Sequence, residues 1–218
     1  MNFTFLRTGA KAVLPLAMVA LLSACASTPS TTMSAGDRAA IKTVKINPAV
    51  QLPEKMYYQG RGQALAMVAG PIGAVIGASA AAGPSGQLVA KMADSKISVP
   101  DILKTEFQRA AEGSGLTVVD PAAASDAEVT LQVNAYGLSQ SNGFSSLYPM
   151  MNVSAVMKKS DGTIAWQKTD FASPLNSDNK VGKEFDDYMQ DPELLRNAMT
   201  TISSIVSKML ADDLKKAQ

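Results

Sequence analysis

The chain has 218 residues, of which 46% are hydrophobic and 18% are charged, and its formal net charge is +1. This length is sufficient for one domain with a hydrophobic core, and a nearly neutral chain lacks the basic excess of nucleic-acid-binding proteins. The sequence contains no histidine and a single cysteine. Histidine-dependent catalytic triads, zinc sites built from histidine or cysteine, and intramolecular disulfides are therefore excluded.

The first 24 residues have the three parts of a secretory signal. Arg7 and Lys11 supply the basic region, residues 12–22 supply an apolar run, and small residues precede Cys25. A leucine three residues before a cysteine resembles the cleavage site of a bacterial lipoprotein signal. That resemblance implies diacylglyceryl transfer to the Cys25 thiol, cleavage before it and acylation of the new amino terminus. An ordinary signal peptide followed by an unmodified thiol is the alternative.

Lipid attachment would decide where the mature chain resides. Removal of residues 1–24 changes the formal net charge from +1 to −1, because the only charged side chains removed are two cations. One acyl chain binds a bilayer only marginally, whereas several make attachment stable. Ala26 and Ser27 follow the cysteine, without the aspartate that resembles an inner-membrane retention signal. We therefore expect a palmitate-carrying outer-membrane lipoprotein that faces the periplasm, with no nucleic-acid partner.

The next segments predict a tether and the start of a domain. Residues 25–40 are rich in serine, threonine, proline and alanine, a composition typical of a flexible tether. A single periplasmic α/β domain is predicted over residues 41–218. Branched side chains at Ile41–Ile46 predict its first strand, and Met56 to Tyr58 predict a second short extended segment.

Residues 62–90 form an insertion that is rich in glycine and alanine and has no charged side chain. Its length could span a bilayer, and Gly73 and Gly77 have the spacing that lets two helices pack closely in lipid. Pro71 and the many alanines oppose insertion, because alanine and glycine contribute little transfer free energy. A packed helical hairpin, a glycine-rich loop, membrane contact and helix self-association all remain open.

The second half of the chain predicts two helices and a run of strands. Ser98 is a candidate N-cap of a helix that ends at Gly113, and a buried strand follows at 116–119. Alternating apolar side chains predict a strand at 128–136, and Gly137 to Pro149 read as a polar loop. Two more strands at 152–157 and 163–171 are joined by a tight hairpin containing Gly162.

The remaining signals concern the core. Trp166 is predicted to be a core anchor on the same strand face as Ile164. Asp191 and Pro192 predict the start of a last helix, whose apolar stripe is expected to cover the preceding strands. The order of elements does not alternate strand and helix. It predicts an α+β fold, with a mixed, largely antiparallel sheet of four to five strands and helices packed on one face.

Three motifs carry a resemblance to known envelope proteins. They are the helix-to-strand segment 102–119, the turn Ser-Asp-Ala-Glu-Val at 125–129 and the hairpin at 157–166. They are similar to the domain shared by the curli-secretion lipoprotein, activators of penicillin-binding proteins and the amino-terminal domain of the Tol-system propeller protein. The resemblance covers residues 41–60 and 98–216, and its motifs are structural. It implies a module that binds a partner of an envelope machine.

Two functions are consistent with these patterns. The first is a lipid-anchored, non-catalytic binding or scaffold module with an envelope protein as partner and with no cofactor or metal. The alternative is a self-associating pore or secretion-system component that uses residues 62–90. An enzyme is disfavoured, because carboxylates that cluster near a helix start are usually solvated caps. Those carboxylates are Asp186, Asp187, Asp191 and Glu193.

The loop from Ser139 to Tyr148 is the predicted partner-binding surface. Phe144 and Tyr148 lie in an otherwise polar stretch, and exposed aromatic side chains are typical of recognition surfaces. Both rings could instead fold back and cap the sheet.

Overall fold

The computed structural model describes residues 30–60, 83–142 and 145–216. These ranges contain five helices and six strands. In chain order they are α1 (Ala35–Ala40), β1 (Thr43–Ile46), β2 (Tyr57–Gln59), α2 (Pro84–Asp94), α3 (Val99–Glu112), β3 (Thr117–Val119), β4 (Ala127–Gln140), β5 (Leu147–Lys159), β6 (Ile164–Ala172), α4 (Phe185–Gln190) and α5 (Pro192–Leu214).

All six strands belong to one mixed sheet. Its order is β3-β1-β4-β5-β6, and β2 also pairs with β4. The pairs β1–β3, β1–β4 and β2–β4 are parallel, whereas the two longest pairs, β4–β5 and β5–β6, are antiparallel. The predicted α+β fold with a mixed sheet is confirmed. The sheet has six strands instead of four to five, because the three-residue β2 joins it through the far end of β4.

The helices lie on one face of the sheet, as predicted. α5 packs on β5 and β6, and α3 packs on α5. Both helices begin at the predicted caps: the Ser98 hydroxyl accepts a hydrogen bond from the Asp101 N–H, and the Asp191 carboxylate accepts one from the Glu193 N–H. Trp166 is fully buried in the core, as expected. Ile164 is not, because a register shift next to Lys158 leaves it 41% exposed.

The prediction of a polar loop from Gly137 to Pro149 is wrong at both of its ends. β4 continues to Gln140 and β5 begins at Leu147, so only residues 141–146 connect the strands. An irregularity between Val133 and Ala135 shifts the register of β4 against β5. Beyond it, the large buried apolar side chains, Tyr136 and Leu138, fall on even-numbered positions instead of odd ones, so the alternation that identifies a strand is interrupted.

The tether predicted over residues 25–40 ends earlier than expected. Thr31 forms an antiparallel bridge with Gln167 of β6, and Met33 is 1% exposed in the core. α1 then packs at the same end of the sheet, where Asp37 lies 3.0 Å from the Lys159 ammonium. The chain is therefore held by the domain from Thr31 onward.

Part of the glycine- and alanine-rich segment 62–90 also belongs to the folded domain. Gly83 is the N-cap of α2, Pro84 occupies its first turn, and Leu88 is fully buried. Residues 62–82 of the segment lie outside the described ranges, and the role predicted for them stays a prediction. Gly73 and Gly77, predicted to mediate helix self-association, lie outside the described residues.

Candidate functional site

The candidate site is the face of the sheet that the helices leave uncovered, called here the open face. It is formed by β4, β5 and β6 on the side opposite α5. Along the first half of β4, the apolar side chains of Val129, Leu131 and Val133 are buried towards the helices, whereas Gln132 and Asn134 are exposed on the other side. Strand alternation therefore separates a core face from an accessible face.

The centre of the open face carries four hydrogen-bonded polar side chains, called here the polar ladder. The Asn134 amide donates to the Asn152 amide oxygen and to the Ser154 hydroxyl, each at 2.7 Å. The Ser154 and Thr169 hydroxyls are also 2.7 Å apart. The ladder crosses three strands and presents hydroxyl and amide groups that can both donate and accept hydrogen bonds.

The end of the open face near the β5–β6 hairpin is charged. The Lys45 ammonium lies 3.5 Å from the Glu128 carboxylate, which also accepts a 2.7 Å hydrogen bond from the Asn47 amide. Lys158 is exposed beside them, and these groups border a cavity of about 570 Å³. Neither charge is deeply buried, so the ion pair contributes little to stability.

The opposite end of the open face is uncharged, and its exposed large hydrophobic side chains, which lie among polar residues such as Gln59 and Ser173, are called here the apolar patch. Tyr57 is 42% exposed, Phe171 is 47% exposed and Leu175 is 83% exposed. They border a cavity of about 270 Å³, together with Met150 and with Ser139, and no residue that lines it is charged. The patch unites β2, the end of β6 and the loop that follows β6.

The structure places only one of the predicted partner-binding aromatics. Tyr148 pairs with Ser139 across the two strands, and its half-buried ring packs on Gly182, where a Cβ atom would overlap it. Ser139 itself lines the apolar patch, so the predicted surface begins next to it. Phe144 lies outside the described residues, as does Cys25, and their roles remain predictions.

Two of the four carboxylates near the last helix, Asp187 and Asp191, act in caps. The Asp187 side chain accepts a 3.1 Å hydrogen bond from the Glu184 N–H in a capping box at the start of α4, and Asp191 caps α5. Glu193 forms a 3.2 Å ion pair with Arg196. Within the described ranges, no group of three or more metal-ligating side chains could hold a metal ion.

Two groups near the site have shifted pKa values. Burial raises the pKa of the Tyr188 phenol, whose hydroxyl lies 2.8 Å from the Val181 carbonyl and 3.1 Å from the Leu147 carbonyl and shares its one proton between them. Burial also raises the pKa of the Asp170 carboxyl on the helix-facing side of β6, against the opposing effect of Lys168. Tyr188 therefore ties α4 and the loop before it to the start of β5.

Neither the polar ladder nor the apolar patch was predicted as a site from the sequence, although the predicted surface from Ser139 to Tyr148 begins beside the patch. The alternation of Thr130, Gln132 and Asn134 was the available signal for the polar ladder, because it predicts one accessible face of a strand. The apolar patch had no such signal, since its members come from three separate segments.

None of the helices in the described ranges is long and apolar enough to cross a membrane.

No family model and no curated protein matches the sequence. Several solved structures do. The PelC dodecamer of Paraburkholderia phytofirmans is 10% identical with a TM-score of 0.40, covering 88% of this chain and 95% of that chain. A protein of Xanthomonas campestris assigned to the family DUF330 is 14% identical with a TM-score of 0.41, covering 84% and 87%. A minor lipoprotein of Acinetobacter baumannii is 11% identical with a TM-score of 0.26, covering 52% and 85%. All three likenesses are distant.

Proposed function

We propose that this protein is a lipid-anchored protein of the bacterial envelope whose α+β domain is a non-catalytic binding module. Cys25 would carry the lipid in the outer membrane, and the domain would face the periplasm. The cleavage-site pattern before Cys25 supports the anchor, and Ala26 and Ser27 support the outer membrane. The partner would be another envelope protein.

The observation that carries the binding role is the polar ladder on the open face. A sheet face that is not covered by helices is available to a partner over the full width of three strands. The side chains of Asn134, Asn152, Ser154 and Thr169 already bond to one another, which restricts their rotamers before binding. Binding of a partner to these donors and acceptors would therefore lose little further side-chain conformational entropy, because most of it is already lost on folding.

Site-specific photo-crosslinking in intact cells tests this role. A photoreactive amino acid at Thr169, in the polar ladder, is expected to give a discrete adduct with one envelope protein. The same amino acid at Thr201, on the helix side of the domain, is the control, because both threonines are partly exposed. Both variants keep Cys25, so both would carry the anchor.

A second variant separates binding from folding. Asn134→Ala removes two exposed hydrogen bonds, so its free energy of unfolding should fall by no more than about 1 kcal/mol. We expect the adduct at position 169 to weaken strongly in this background. An adduct from position 201 alone, or an adduct from position 169 that Asn134→Ala leaves unchanged, would contradict binding through the open face.

A further inference from the structure

The amino-terminal segment is attached to the outer edge of the sheet. The Thr31 N–H donates to the Gln167 carbonyl at 2.8 Å, and the Gln167 N–H donates to the Thr31 carbonyl at 2.9 Å. Two residues later, the side chain of Met33 is buried in the core. Thr31 is therefore the fixed point from which any lipid on Cys25 holds the domain.

Few residues separate Cys25 from this point. Cys25 and Thr31 are six residues apart, and an extended chain of that length spans at most roughly 20 Å. A lipid on Cys25 would thus keep the outer edge of β6 within that distance of the bilayer surface. A tether that ran to residue 40 would have a longer maximum reach, and the pairing of Thr31 with Gln167 shortens it.

The direction of the pairing selects one end of β6. The bridge is antiparallel, so Ser30 lies on the side of Thr31 that faces the Ala172 end of the strand. Phe171 follows Gln167 by four residues, about 13 Å along the strand, and is within reach of the anchor. The other end of β6 begins at Ile164, next to the exposed charge of Lys158.

We propose that the apolar patch rests on the bilayer and that its side chains enter the boundary between headgroups and acyl chains. This proposal rests on the lipid attachment at Cys25 proposed above. Tyr57, Phe171 and Leu175 are aromatic or aliphatic and exposed, as are the side chains that hold peripheral proteins in this boundary. The lining of the patch carries no charge that would have to be desolvated.

The lipid and the patch would act together. Three partly exposed side chains bind a membrane weakly when the protein is free in solution, but a short tether makes their contact intramolecular and raises its effective concentration. The polar ladder would then stand to the side of the bilayer, and the charged end beyond it would point away. Occupation of the patch by a second copy of the chain is the competing outcome.

Lipid quenching of a fluorescent label tests the orientation. Cys25 is the only cysteine and would be occupied by lipid, so Leu175→Cys and Ile164→Cys each introduce one reactive thiol. The lipidated variants are labelled and placed in vesicles of phosphatidylethanolamine and phosphatidylglycerol. A minor share of phosphatidylcholine in these vesicles carries a spin label on its acyl chain. Ile164 is the matched control, because it is an exposed aliphatic residue at the end of β6 opposite the loop that carries Leu175.

The expected result is strong lipid quenching of the label at 175 and, at 164, fluorescence equal to that in vesicles without spin label. Vesicle flotation is measured in parallel. Absence of quenching at 175 in protein that floats would overturn the membrane-facing patch and leave the anchor intact. A label at 175 shielded from aqueous iodide but not quenched by lipid would also overturn it, in favour of a second copy. Protein that does not float would overturn the anchor and this inference together.

Discussion

At the scale of single residues, Asp126 holds the first strand in the sheet. One of its carboxylate oxygens accepts hydrogen bonds from the Lys42 N–H at 2.9 Å and from the Thr43 N–H and hydroxyl at 2.8 Å each. The backbone N–H of Thr43 makes the largest contribution to lowering the pKa of this carboxyl, followed by that of Lys42 and by the Thr43 hydroxyl. The turn motif at 125–129, which is similar to one in envelope proteins, thus fixes the start of β1 next to β4.

The lowered pKa of Asp126 predicts a pH-dependent contribution to stability. The folded state binds the proton more weakly than the unfolded chain, so the contribution is complete above the ordinary pKa of 3.8 and disappears as the pH falls below it. Asp126→Asn should therefore unfold at lower urea concentration than the natural chain at neutral pH. The two midpoints should converge once the pH has fallen below the lowered pKa of the folded state, where the carboxyl is protonated in both states. A difference that is independent of pH would show that the charge is not involved.

Gly137 allows β2 to reach β4. A Cβ atom at this position would overlap the backbone carbonyl of Tyr57, which cannot rotate away as a side chain could. Gly137→Ala should lower the free energy of unfolding by about 1–3 kcal/mol, as overpacking does in cores. Gly36→Ala in α1 is the control, because its Cβ would meet only the Ser34 hydroxyl at 3.8 Å. Equal urea midpoints for both variants would refute the close approach.

At the scale of elements, the sequence identified the caps and the strands with uninterrupted alternation. Ser98 and Asp191 begin the helices that they were expected to begin. The predicted strand ended too early, at Tyr136, because the register shift moves the following buried side chains, Tyr136 and Leu138, to the other parity. The alternation of apolar and polar residues along one strand does not predict a bulge, because the position of a bulge depends on the partner strand. α1 and α4, each of six residues, were missed because they are too short to show a period.

The amino-terminal segment is an element that local composition misassigned. Its serine, threonine and alanine content predicts a tether, but one buried side chain and one bridge dock it on the domain. Met33→Ala should cost about 2–5 kcal/mol in the free energy of unfolding, as for other fully buried methionines. Thr32→Ala, at the exposed neighbouring position, should change it by less than about 0.5 kcal/mol. Equal urea unfolding curves for the two variants would show that this segment is not docked.

At the scale of the whole molecule, the open face is organised from one end to the other. The apolar patch, the polar ladder and the charged end follow one another along β5 and β6, and Thr31 attaches the amino-terminal segment at the outer edge of β6. The fold class could be predicted from the order of elements. The patch could not, because Tyr57 and Phe171 become neighbours only when β2 and β6 flank the central hairpin of β4 and β5.

Whether the lipid on Cys25 is what holds the domain at the membrane can be measured by fractionation of cells that export the mature chain with Cys25→Ser, followed by sizing of the released protein. The natural chain, which should remain with the membranes, is the control. The account predicts a folded, soluble monomer, because the lipid supplies nearly all of the membrane attachment. A chain that stays in the membrane without the lipid, or that emerges as a large oligomer, would contradict this account. Either result would favour self-association through the segment that contains Gly73 and Gly77.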